Sequence, residues 1–164
     1  MATGDETLGV DVDASDRQHE VDVDVDRYQR LLRDTLAAEG VAGPGEATLT
    51  FVDRDTIVEL NETHLGSRGE TDVLSFPVDG AAHLPAGEHR MVGDIVVCPG
   101  VARDQAAEHA GDPDGELALL VVHGALHLCG HDHADDEDRD RMWARERALL
   151  DDLWGPLARD PWAP

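Results

Sequence analysis

Aromatic residues make up only 4% of the 164 residues. A packed interior must therefore come from Leu, Val, Ile and Ala, and the 41% hydrophobic content is enough for one core in a single domain. Cysteine is nearly absent. Cys98 and Cys129 are too few for a disulfide framework, and each lies in or beside an apolar run, where a free thiol is ordinarily buried. Cys129 also stands close to a run of histidines, which keeps it as a rival metal ligand. No stretch approaches the roughly 18–20 apolar residues of a membrane span. The first six residues hold neither a basic nor an apolar segment, so no secretory signal is expected and the expected compartment is the cytoplasm. Basic residues are scarce as well: 13 against 36 acidic ones give a formal net charge of −23. Such a chain repels nucleic acid at long range.

What is present is patterned. Residues 1–7 read as a flexible tail. Leu8, Val10 and Val12 alternate with Gly and Asp as in a short strand with one wet face. Tyr28, Leu31, Leu32, Thr35 and Leu36 recur at helical spacing, giving a helix from about Asp26 to Glu39 that ends at Gly40 and the Gly43-Pro44-Gly45 turn. Ala47, Leu49 and Phe51 mark a strand over 46–52. Asp53 is a plausible N-cap for a helix carrying Ile57, Leu60, Asn61 and His64. A loop at 66–69 leads to a buried strand over 72–76 stopped by Pro77, and 77–90 reads as loop. Ile95–Cys98 is a fourth strand, and Pro99 opens a helix to about Ala110. Asp112-Pro113 starts a central helix that is apolar nearly all round from Leu117 to Cys129, hence buried, with Gly130 ending it. A last helix begins near Asp135 with an acidic first turn. Residues 155–164 read as a second flexible tail. The expectation is one α/β (α+β) domain over 8–154, with a four-stranded mixed sheet and about five helices.

The chemistry concentrates in His123-Gly-Ala-Leu-His127-Leu-Cys-Gly-His131-Asp-His133. Residues four apart on a helix share a face, so His123 and His127 point the same way. On a buried apolar helix an unpaired polar ring is costly, which favours a metal pair over coincidence. Gly130 permits a chain reversal that returns a third histidine to the pair. By spacing, that histidine is either His131 or His133. Three neutral imidazoles with an open position is the pattern of catalytic zinc. Cys129 as a fourth ligand would instead make a structural site. Gly124 stands where zinc peptidases carry their general-base Glu, which argues against a peptidase.

The histidine run resembles the H-G-x-L-H-L-x-G-x-D-H signature of the YbeY family of zinc-dependent endoribonucleases. Leu60-Asn61, Thr71-Asp72-Val73-Leu74-Ser75-Phe76-Pro77 and Gly93-Asp94-Ile95-Val96-Val97-Cys98 match further family blocks in order. The resemblance implies His123, His127 and His133 as ligands of one zinc ion per chain, in a cleft beside the strand 72–76 and the central helix. It also implies single-strand-specific cleavage of ribosomal RNA, in 16S 3′-end maturation and ribosome quality control. The implied nucleophile is a zinc-bound water, and no protein general base is identified. The small ribosomal subunit or its proteins are the implied partners, with no DNA and no membrane. Where many members carry a Tyr-Arg pair after L-N, this chain has His64 and Leu65. Arg68 and Ser75 are the expected substrate-cleft residues. Against the net charge of −23, RNA binding needs a local basic patch, with Arg68, Arg90 and Arg103 as candidates, or a protein partner. The alternative is a ribosome-binding assembly factor whose zinc is structural.

Overall fold

The computed structural model describes residues 9–66 and 69–163. The elements run β1 (Val10–Asp16), α1 (Val25–Ala38), β2 (Gly45–Phe51), α2 (Arg54–Leu65), β3 (Val73–Pro77), β4 (Arg90–Val97), α3 (Pro99–Ala106), α4 (Pro113–Leu128) and α5 (Asp136–Leu153). The sheet has four strands in the order β1-β2-β4-β3. β1 and β2 are parallel, as are β2 and β4, while β3 runs antiparallel to β4. This is the mixed sheet with five helices that the pattern predicts.

Alternation along the strands divides the interior in two. Ile95 and Val97 on β4 join Leu49, Phe51, α1, α4 and α5 in the main core. Val96 and Cys98 turn to the other face and pack with Val52, Leu74 and Ile57 of α2. The helices start where their caps dictate. The side chains of Asp53, Asp112 and Asp135 accept the N–H groups of Thr56, Gly115 and Asp138 at 2.8, 2.7 and 2.8 Å, satisfying donors that the first turn leaves free. α4 crosses β3 and β4 and is flanked by α1, α3 and α5, which explains why it carries apolar residues on every side.

Three boundaries differ from the sequence pattern. β4 begins at Arg90, five residues before the apolar run Ile95–Cys98, because Arg90–Asp94 pair with β2 and β3 through their main chain. β1 likewise extends to Asp16 through a polar stretch held by pairing with β2. α3 stops at Ala106, short of Ala110. The stretch 155–163, expected as a loose tail, also makes contacts a frayed end would lack. The Arg159 N–H donates to the Ala110 carbonyl at 2.9 Å, and Leu157 and Trp162 pack against the main core. Residues 1–8 and Arg68 lie outside the described residues.

Candidate metal centre

α4 presents His123 and His127 one turn apart, with their Nε2 atoms 3.0 Å from each other. Gly130 follows with φ +95°, a left-handed geometry that glycine adopts without strain. The reversed chain returns His133, whose ring centroid lies 5.3 Å from that of His127 and 5.9 Å from that of His123. One ligating atom from each of the three histidines falls within 4.8 Å of the other two. The three are thus positioned to bind one metal ion.

The outer nitrogens fix the tautomers. His127 Nδ1 lies 3.0 Å from the carbonyl oxygen of His131. A carbonyl only accepts, so this nitrogen carries the proton. His123 Nδ1 lies 2.6 Å from Glu146 Oε2 and donates to that carboxylate. In the neutral rings both Nε2 atoms then hold lone pairs, aimed at each other across 3.0 Å. Lone pairs in that position repel unless a cation sits between them. Tetrahedral zinc with Zn–N of about 2.0–2.1 Å separates two ligand nitrogens by about 3.3 Å, close to this spacing. Burial, then the neighbouring His123 and His133, pushes the His127 pKa below its ordinary value, which keeps the ring in the neutral form a metal requires.

The rival third ligand is engaged elsewhere. His131 Nε2 lies 3.0 Å from Oε1 of Glu39, the residue that caps the C-terminal end of α1, and Glu39 is also bound by Arg145 of α5. Cys129 packs against the main core and is not among the three clustered ligands. Burial pushes its thiol up to about 11. Gly124 faces the sheet: a Cβ there would lie 2.9 Å from Ile95 Cγ2 and 3.2 Å from Ser75 Oγ. A Glu at this position would therefore collide with β4 instead of reaching the metal site.

The histidines open on a cleft of about 600 Å³, walled on one side by residues 71–75 and on the other by His131–His133. Ser75 lines it, and its hydroxyl donates to the Gly124 carbonyl at 3.3 Å. The Asp132 carboxylate accepts the N–H of His133 at 2.7 Å. The described lining carries no basic side chain other than histidine. Arg90 is spent on the carbonyls of Ala42, Gly80 and Ala82, and Arg103 on Glu20. Neither supplies the basic patch proposed from sequence. His64 packs edge-on against Phe76 at 5.6 Å.

Residues 13–154 match the family described as Endoribonuclease YbeY. The chain belongs to the YbeY family. Among curated YbeY relatives named Endoribonuclease YbeY, the Rhodococcus opacus protein is 40% identical over 85% of this chain and 80% of its own length. The Salinispora tropica protein is 41% identical over 79% of this chain and 87% of its own. The solution structure of TM1509 from Thermotoga maritima is similar at a TM-score of 0.56 with 25% identity, covering 89% of both chains. The YbeY match includes all three histidines and Glu146, and it ends before Trp162. Glu146 went unnoticed in the sequence, although an acidic residue set between Met142, Leu149 and Leu150 on one apolar stripe was a visible signal. It is only 2% exposed.

Proposed function

We propose that this chain is a zinc-dependent, single-strand-specific endoribonuclease acting on ribosomal RNA, with one zinc ion per chain held by His123, His127 and His133. The observation that carries the reading is the pair of Nε2 atoms 3.0 Å apart, each made a lone-pair donor by its Nδ1 partner, at the edge of an open cleft. A metal bound there supplies a Lewis acid for the phosphoryl oxygen and a nucleophilic water near neutral pH. The protein's part is positional. Glu146 and the His131 carbonyl fix two ring orientations, and the apolar packing of α4 anchors the helix that carries them. The wall at 71–75, with Ser75, would lie along the RNA strand, and Arg68 would offer it a cation. Maturation of the 16S 3′ end and ribosome quality control, in contact with the small subunit or its proteins, is the role that family membership supports. Among the described residues no helix is long and apolar enough to cross a membrane.

The assembly-factor reading, with zinc holding the fold, is less well supported. A structural site wants four closed ligands, whereas His133 is exposed on the cleft. The test is cleavage of a single-stranded RNA and of a duplex of the same sequence, with and without a chelator. Cutting confined to the single strand and abolished by chelation is expected. An uncut single strand with zinc bound would overturn the reading.

A further inference from the structure

The back of the metal site is closed by a segment beyond the family match. Trp162 Nε1–H donates to Glu146 Oε1 at 3.0 Å, and the other oxygen of the same carboxylate accepts from His123 Nδ1 at 2.6 Å. An indole N–H is donor only and an ionised carboxylate acceptor only, so the two hydrogen bonds converge on Glu146, one from the indole and one from the imidazole. Glu146 is almost completely buried, and with both oxygens engaged its carboxyl plane is pinned. A cavity of about 160 Å³ lies where these bonds meet Asp72, His109 and Trp143.

Several contacts hold the segment in place. The Arg159 main chain is bound to Ala110, and its guanidinium donates to the Ala107 carbonyl at 3.1 Å. Gly111 lets Ala158 approach, since a Cβ there would lie 2.6 Å from Ala158 Cβ. Asp160 accepts the Trp162 N–H at 2.9 Å and pairs with Arg147 at 3.5 Å, and the Arg147 guanidinium stacks 4.8 Å over the Trp162 ring. The indole is therefore held on both its polar edge and its face.

We infer that Trp162 is a positioning residue for the metal site, acting through Glu146 to fix the orientation and donor strength of His123. The partner bonded directly behind a metal-ligating histidine sets its tautomer and basicity, and its loss typically costs 10–100-fold in metal affinity; Glu146 is that partner here, and Trp162, one hydrogen bond further out, is expected at the low end of that range. The inference rests on the metal reading above.

The test uses the full chain and zinc, with affinity read by competition against a chromophoric chelator. W162F keeps the ring and its stacking but loses the N–H. It is expected to bind zinc about tenfold more weakly than wild type, with the metal-free protein unfolding at the same temperature. In an E146A background, W162F is expected to cause no further loss, because the carboxylate that transmits the effect is gone. Affinity of W162F within twofold of wild type would overturn the inference and leave the metal reading intact. So would a loss that is equally large in the E146A background, or one that accompanies unfolding of the metal-free chain. Wild type and H127A binding zinc equally weakly would remove the metal reading itself, and this inference with it.

Discussion

At the scale of single residues, the site works by denying its groups any other use. His131 is tied to Glu39, Cys129 to the core and Gly124 to the sheet, leaving three imidazoles for a metal. G124E should not create a peptidase. It should lower stability by about 3 kcal/mol or more, since both volume and charge are forced against Ile95, and urea unfolding will show whether it does. A stable G124E would mean that position 124 has room the packing denies. Cys129, with its thiol raised to about 11 by burial, should react with iodoacetamide at pH 8 about a hundredfold more slowly than in the unfolded chain, because the thiolate is the nucleophile; mass spectrometry of alkylated peptides measures this. The pair His123–His127 was legible from spacing alone. The choice of His133 over His131 was not, because it depends on Glu39, which is 92 residues away in sequence.

At the scale of elements, structure is legible in the sequence where burial imposes a period and hidden where main-chain pairing or long-range docking decides. α4 was recognisable because it is apolar on every side, and its Asp112-Pro113 start is a local cap. Leu126 on this helix is fully buried, so L126A should cost about 2–5 kcal/mol, measured by denaturant midpoint. A cost below about 1 kcal/mol would show that the helix is less tightly enclosed than its surroundings indicate. The first half of β4 and the end of β1 were missed because their polar side chains carry no alternation strong enough to mark a strand. The docked segment 155–163 was missed because its proline content reads as loop, while the groove that receives it is built by the α3–α4 connection.

At the scale of the whole molecule, charge sets the terms of encounter with RNA. All 13 basic residues are arginines, against 36 acidic residues, and several of the arginines, Arg54 and Arg103 among them, are committed to carboxylates. Repulsion between like charges weakens as salt shortens the screening length, from about 10 Å at 0.1 M to about 3 Å at 1 M. Cleavage of a short single-stranded RNA at substrate concentrations below KM should accordingly speed up as KCl rises from about 0.05 to about 0.3 M. A rate that falls steeply over that range would point to a basic RNA-binding surface and contradict this view. The central claim is that three histidines hold the metal that performs the cleavage. Zinc content measured on wild type and H127A, with circular dichroism and RNA cleavage on the same samples, tests it most directly. The account predicts about one zinc per chain in wild type, and in H127A a folded chain with little zinc and no cleavage above the chelated control. An H127A protein that retains zinc and cuts RNA, or one that loses its fold together with the metal, would contradict it.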